Sequence, residues 1–456
     1  MQTILPPMHA AQTLFSEAKP TEGDYRYSNH VLEVPCEDGR LLYHVLTGEL
    51  LLLSEDEAAR AETDEALKET LIRRRFLVPT AHDEAAFSRQ FREVAALFSR
   101  ESGAITRFTI LTTTDCNARC PYCYEQGRPR RPMSDATARD TAAFIARVSG
   151  GQKVRLIWFG GEPLYNRRAI EIITEELRSR GVPFASDMVS NGYLFDDESV
   201  RTAVNGWALE HVQITLDGTE QRYNRIKGYV HAEGSAYARV LKNIDCLLRA
   251  GVRVAIRLNV SPDNADDLCT LTDELTERFR SEKRPTLYSV LIRDFSAAAT
   301  HPETEEDALQ AWDLLQRKIL ASGLGRIERL PRKVQVNGCM ADSDDSVTVL
   351  PDGRLGKCEH ESERLTVGDI YDGVTDAAMT AQWKERVRVP ECRTCALEPS
   401  CIRLRLCDWT GGRCTEADRK RMRLTVEQRI YGAYRRITAK GTANEADEEP
   451  FSGFGR

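Results

Sequence analysis

From residue 106 to residue 300 the chain alternates short apolar runs with amphipathic stretches, and this alternation narrows the fold more than any other feature. The runs "RFTILTT", "VRLIWF", "FASDMVS", "VQITL", "VRVAIRLNV" and "LYSVLIR" have the length and composition of strands. Between them, residues 134–149, 165–180, 235–250 and 264–281 read as helices. Ser134 precedes the first as an N-cap, and Asn264 with Asp267 three residues on marks the last. Strands separated by helices pair in parallel, because each must return through a crossover. The expectation is an α/β fold, a partial (β/α)6 TIM-like barrel short of the usual eight units.

The flanks divide the rest, as 456 residues are too many for one core. After an extension of residues 1–26, residues 27–80 read as a small α+β unit. Its strands "HVLEV", "RLLYHV" and "GELLLLS" are separated by turn signals at Asp38-Gly39 and Thr47-Gly48, and two short helices follow. Residues 81–105 hold a linker helix with Phe87, Phe91, Val94, Ala95 and Phe98 at helical spacing. Residues 301–335 are a helical bridge, 336–415 a cysteine-rich stretch with little periodicity, and 416–456 a helix with a disordered tail.

A net charge of -7 argues against a broad nucleic-acid surface. No apolar run nears the roughly 18 residues of a membrane span, and the N-terminus lacks a secretory pattern. The reading is cytoplasmic, with neither nucleic acid nor membrane as partner. In that setting thirteen cysteines point to metal ligands or reactive thiols rather than to a disulfide framework. Three form a knot at Cys116, Cys120 and Cys123, and seven crowd the last quarter at Cys339, Cys358, Cys392, Cys395, Cys401, Cys407 and Cys414. Cys36, Cys246 and Cys269 stand apart and read as buried small apolar residues.

The knot follows the first strand, at the face where β/α proteins hold their active sites. Thiolates there suit zinc or an iron-sulfur cluster. Three thiolates on a four-iron cube leave one iron free for a substrate or cofactor. The C-x3-C-x2-C spacing with Tyr122 before the last cysteine resembles the radical S-adenosylmethionine (SAM) superfamily. "FGGEP" at 159–163, "SNG" at 190–192, "LDG" at 216–218 and "RLNV" on the fifth strand each resemble a superfamily element in its expected place. The resemblance implies a [4Fe-4S] cluster on Cys116, Cys120 and Cys123 whose free iron chelates SAM, and generation of a 5′-deoxyadenosyl radical. It assigns Gly160, Gly161 and Glu162 to the SAM ammonium, Ser190 and Asn191 to its ribose or carboxylate, Tyr122 to the adenine edge and Arg257 to the carboxylate.

The later cysteines, with "VTVLPDGRLGKC" leading into Cys358, resemble the SPASM extension, an Fe-S domain with one or two auxiliary [4Fe-4S] clusters. By that resemblance Cys392, Cys395, Cys401 and Cys414 hold one cluster, and Cys339, Cys358 and Cys407 belong to the other. Two features depart from the pattern: five residues separate Cys401 from Cys407 in place of three, and no cysteine lies between 270 and 338. The second cluster therefore has an open iron or borrows His360, Asp342 or a substrate thiol. Structural zinc on four of the seven is the alternative.

The 27–80 unit resembles, in topology alone, the winged-helix-like recognition modules (RRE) of peptide maturases, and a structural cap on the barrel is the other reading. The resemblances imply a maturase (RiPP-modifying) that installs a thioether, carbon-carbon or related crosslink in a ribosomally made precursor peptide. The leader would bind the N-terminal domain, and an external donor such as flavodoxin or ferredoxin would supply electrons. Alternatives are oxidation of a residue on a sulfatase, as in anaerobic sulfatase maturases, and a non-catalytic Fe-S electron-transfer protein. Asp342, Asp344 and Asp345 are candidate bases beside Cys339 that a solvated loop explains equally well.

Overall fold

A computed structural model describes residues 1–7, 23–61, 63–98, 103–280, 284–292, 303–325, 330, 338–360, 364–407 and 412–440. The expected tail at 441–456 and residues 301–302, 326–329 and 331–335 of the bridge lie outside the described residues.

The N-terminal module comprises β1 (Gln2–Leu5), β2 (Tyr25–Tyr27), β3 (Val31–Cys36), β4 (Gly39–His44), β5 (Glu49–Leu53), α1 (Glu55–Arg60), α2 (Glu65–Arg73) and β6 (Leu77–Pro79). Its main sheet runs β1-β5-β4-β3, and β2 pairs with β6. The 1–26 extension thus contributes two strands, with β1 covering the edge that β5 would otherwise leave open. Gly39 at the β3–β4 turn has φ +133°, and a Cβ there would sit 2.1 Å from the Leu53 carbonyl oxygen. Strands β4 and β5 are apolar without alternation because both sheet faces are covered. Leu42, Leu51 and Leu53 pack on Leu71, Ile72 and Phe76, whereas Leu41, Tyr43 and Leu50 pack on Ile430, Ala433 and Tyr434 from the far end of the chain.

The linker helix α3 (Glu84–Phe98) leads to the parallel strands β7 (Arg107–Thr113), β8 (Val154–Gly160), β9 (Phe184–Ser190), β10 (Leu209–Leu216), β11 (Arg253–Val260) and β12 (Thr286–Leu291). Val94, assigned to the apolar stripe of α3, is exposed. Helices α4 (Asp135–Val148), α5 (Arg167–Ser179), α6 (Asp197–Trp207), α7 (Glu220–Lys227), α8 (Ala236–Arg249) and α9 (Ala265–Arg278) lie between these strands in the chain. The Ser134 cap forms, its hydroxyl accepting from Thr137 N at 3.0 Å. The Asn264–Asp267 cap does not: Asn264 makes no side-chain cap bond, and Asp267 instead accepts from Thr219 N at 2.9 Å and Thr219 Oγ1 at 2.6 Å. A carboxylate one turn into α9 serves the neighbouring turn better than its own helix end.

The sheet continues past β7. After α10 (Glu303–Ala321), β13 (Ser346–Val349) pairs in parallel with β7, and β14 (Arg354–Gly356), β15 (Gly368–Asp369) and β16 (Gly373–Val374) extend the order to β12-β11-β10-β9-β8-β7-β13-β14-β15-β16. The cysteine-rich stretch is therefore joined to the parallel sheet by backbone hydrogen bonds. Helices α11 (Ala377–Gln382) and α12 (Glu416–Lys440) complete the described chain. Among the described residues no helix is long and apolar enough to cross a membrane.

Candidate functional site

The C-terminal ends of β7, β8, β9 and β10 converge on the first cysteine loop. Gly161 N donates to Thr113 O at 2.9 Å and Glu162 N to Asp115 O at 3.0 Å. This contact requires glycine: a Cβ on Gly160, whose φ is +122°, would lie 2.1 Å from Thr113 O, and one on Gly161 2.3 Å from Asp115 O. An ammonium only donates, so a ligand ammonium here would be met by carbonyl or carboxylate oxygen.

The Glu162 carboxylate is buried and knits β8 to β9, accepting from Ser190 Oγ at 2.9 Å, Asn191 N at 2.8 Å and Leu164 N at 3.2 Å. Burial raises its pKa to about 7 against those hydrogen bonds. Asn191 Nδ2 donates to Asn117 Oδ1 at 2.7 Å and lies 3.8 Å from Cys116 Sγ. Gly160, Gly161, Glu162, Ser190 and Asn191 are thus brought against the cysteine loop.

Arg257 stands farther along β11. Its Nε donates to Asn259 Oδ1 at 2.8 Å, and Asn259 Nδ2 in turn donates to Asp217 Oδ1 at 3.0 Å. Asp217 Oδ2 faces Lys227 Nζ at 2.9 Å, with both side chains buried. Burial opposes the charge on Lys227, but Asp217 and then Tyr122, Cys120 and Tyr223 hold its pKa well above the usual value. Tyr122, expected at an adenine edge, has its hydroxyl buried, with Lys227, Asp217 and Cys120 as its electrostatic neighbours.

Lys227 and Asn117 escaped the sequence reading. Lys227 ends α7, and its one local signal is Gly228, which caps the helix at φ +50°. Its backbone and that of Val230 strap the loop down, through Arg119 N to Lys227 O at 2.8 Å and Val230 N to Asn117 O at 2.9 Å.

Burial and then Glu162 push the Cys116 thiol up to about 12, and burial raises Cys120 and Cys123 as well. Three partly buried thiols that interact electrostatically suit a cationic metal group, which stabilises thiolate. Among the described residues no three His, Cys, Asp or Glu side chains close around a single-ion site.

The later cysteines fall into two electrostatic groups that cross in sequence. Cys395 senses Cys401, Cys392 and Cys414, and these four line one pocket. Cys358, raised by burial and then Glu359, senses Cys339 and Cys407. Of the two borrowed ligands considered for that second group, Asp342 is committed to Arg386 Nη2 at 2.7 Å and Cys339 N at 3.0 Å. The His360 ring packs against Tyr124 at 4.2 Å between centroids. Asp344 and Asp345 pair with Lys384 and Arg107. Of the cysteines that stand apart, Cys246 is buried, and Cys36 and Cys269 are partly exposed.

A model of the radical SAM superfamily matches residues 110–275, which span β7 to α9 and contain every element just described around the first cysteine loop. Residues 110–275 thus form a radical SAM domain. Membership of that domain in the superfamily implies a [4Fe-4S] cluster and SAM, and the cysteine-rich C-terminal region is consistent with auxiliary clusters. Among curated proteins it is 22% identical over 206 residues to Fe-coproporphyrin III synthase of Methanosarcina barkeri, covering 44% of this chain and 49% of that protein. It is 24% identical over 292 residues to GTP 3′,8-cyclase of Clostridium perfringens, covering 59% of this chain and 84% of the cyclase. The match to the synthase thus spans about half of that relative's length. Among solved structures, native anSMEcpe with bound AdoMet and Kp18Cys peptide aligns over 73% of this chain and 99% of its own, with a TM-score of 0.56 and 14% identity. That likeness is one of fold.

Proposed function

We propose that this radical SAM protein is a maturase of a ribosomally made precursor peptide and installs a thioether, carbon-carbon or related crosslink. The observation that carries this reading is the N-terminal module. Among the described residues its β3 pairs on one side only, with β4. An extended leader peptide can add to such an edge by main-chain hydrogen bonds. The module is also packed into the rest of the protein, through α12 on its sheet and α3 against the cysteine-rich region. A solved relative in fold holds both AdoMet and a peptide, which supports a peptide substrate.

In this reading Cys116, Cys120 and Cys123 hold the cluster, and Cys392, Cys395, Cys401 and Cys414, with Cys339, Cys358 and Cys407, hold the auxiliary ones. SAM held at that cluster would supply radical chemistry able to take hydrogen from an inert C–H bond. The chain's own residues position that chemistry. Gly160 and Gly161 let β8 close on the cysteine loop, Glu162 ties in Ser190 and Asn191, and the Lys227–Asp217–Asn259–Arg257 array spans the adjacent strand ends. The electron comes from an external donor such as flavodoxin or ferredoxin.

The test is mass spectrometry of candidate peptides encoded beside the gene, incubated anaerobically with the protein, SAM and reductant. Loss of hydrogens in pairs is expected. An unchanged mass for every neighbouring peptide, with 5′-deoxyadenosine released, would refute the peptide assignment and leave the radical chemistry standing.

A further inference from the structure

The helix leaving the N-terminal module forms part of the wall of the four-cysteine pocket. Its first turn is fixed to the module by Glu84, which accepts from Arg26 Nη1 at 2.6 Å, Ser28 Oγ at 2.5 Å and Asn29 N at 2.9 Å. One turn on, Ser88 donates to the Glu398 carboxylate. A further turn on, Arg92 Nη1 donates to Glu398 O at 2.7 Å, and both terminal nitrogens of Arg92 reach Cys401 O at 3.2 Å.

Arg92 is one of five arginines around that pocket, with Arg386, Arg388, Arg403 and Arg419. The other four are in direct ion pairs: Arg386 meets Asp342 at 2.7 Å, Arg403 meets Asp418 at 2.6 Å, Arg388 meets Glu398 at 3.6 Å and Arg419 meets Glu391 at 4.0 Å, whereas Glu398 acts on Arg92 only through space. The hydrogen bonds of Arg92 go to carbonyl oxygens, which orient a guanidinium without cancelling its charge. Arg386 also donates to Cys401 O, so two guanidinium groups share one ligand's carbonyl. Like charges gathered in a half-buried space are offset by an anion. Four thiolates on a four-iron core carry a net charge of about -2, which becomes more negative on reduction. A fixed cation beside them favours the reduced form.

We propose that Arg92 is a charge-positioning residue that raises the reduction potential of the four-cysteine auxiliary site from the helix joining it to the N-terminal module. The proposal rests on the reading that Cys392, Cys395, Cys401 and Cys414 hold a [4Fe-4S] cluster, and the test separates the two.

The experiment is a redox titration, followed by electron paramagnetic resonance, of the anaerobically reconstituted full chain. The auxiliary signal is assigned by its loss in Cys395→Ala. Arg92→Gln keeps an amide for the carbonyls and removes the charge. Its auxiliary midpoint should fall by about tenfold in the reduction equilibrium, 59 mV for one electron. Arg92→Lys should stay near the wild-type midpoint, and the signal of the Cys116 cluster should not move in either variant. An unchanged midpoint in a fully iron-loaded Arg92→Gln protein would overturn the proposal. If that variant loses its auxiliary iron, Glu398→Gln decides, because removing a negative charge from the same wall should raise the midpoint, and no shift there overturns the proposal. Retention of all iron and every signal in Cys395→Ala would refute the cluster reading itself.

Discussion

Replacing Lys227 by methionine strands Asp217. The two side chains are 4% and 2% exposed, with Nζ 2.9 Å from Oδ2, and Asp217 also accepts from Asn259 Nδ2 at 3.0 Å. At that separation and an effective dielectric near 20, direct attraction is about 6 kcal/mol, and burying both ions cancels most of it. Removing one partner leaves the other buried and unpaired, at a cost of about 3–5 kcal/mol. Asp217→Asn alone should cost a similar amount, because it strands Lys227. The double variant Lys227→Met/Asp217→Asn carries no stranded charge and should be more stable than either single one, a coupling of at least about 3 kcal/mol. Urea unfolding followed by tryptophan fluorescence reads this directly, since Trp158 and Trp207 are buried in the same core as Leu216 of β10 and Tyr223 of α7, the elements that place the pair. The reasoning fails if Lys227→Met unfolds with the wild type, or if the double variant loses as much as the two singles added together.

Gly161→Ala drives a Cβ to within 2.3 Å of Asp115 O, which is backbone and cannot swing aside, so the cysteine loop must move. Displacement by about 1 Å should lower uncoupled 5′-deoxyadenosine release about 100-fold in a protein whose far-ultraviolet circular dichroism is unchanged. Ile430→Ala opens a cavity between α12 and the N-terminal sheet, where Ile430 is fully buried. It should cost about 2–5 kcal/mol, seen as faster hydrogen exchange in β3 to β5.

Stability should also depend on pH through Glu49, which is buried beside Arg74 and whose pKa burial pushes up to about 7. An unfolded Glu ionises near 4.3, so between about 4.3 and 7 the folded state holds the extra proton and stability falls as pH rises, by about 1.4 kcal/mol per unit. Burial pushes His44 down to about 3 and lowers His30, and both have the opposite slope: stability falls with falling pH below about 6.5. Glu49→Gln removes only the first contribution. Between pH 4.5 and 6.5 its module should lose stability with acid more steeply than the wild type, by about 1.4 kcal/mol per unit, in hydrogen exchange of β4. Parallel profiles would refute the assignment.

The strands β7 to β12 and the first cysteine loop were legible from the chain because their signals are local. A parallel strand buried on both faces is a run of apolar residues, a glycine pair marks a close backbone approach, and C-x3-C-x2-C is a spacing. The two crossing groups of later cysteines were reached only through a family resemblance, since nothing in the order of Cys401, Cys407 and Cys414 assigns each to its group. The boundary at residue 27 missed β1, because "QTIL" is too short to read as a strand until β5 is beside it.

What the sequence determined alone was the class of fold and the residue types that bind metal, both carried by patterns within some ten or twenty positions. Tertiary structure decided which of those residues meet. The pairing of Lys227 with Asp217, the parallel union of β13 with β7, the turn of Asp267 toward Thr219 and the docking of α12 on a sheet about 390 residues earlier depend on distant segments closing on one another. Periodicity and spacing do not encode such contacts, because burial and charge compensation select a partner only once the chain has folded.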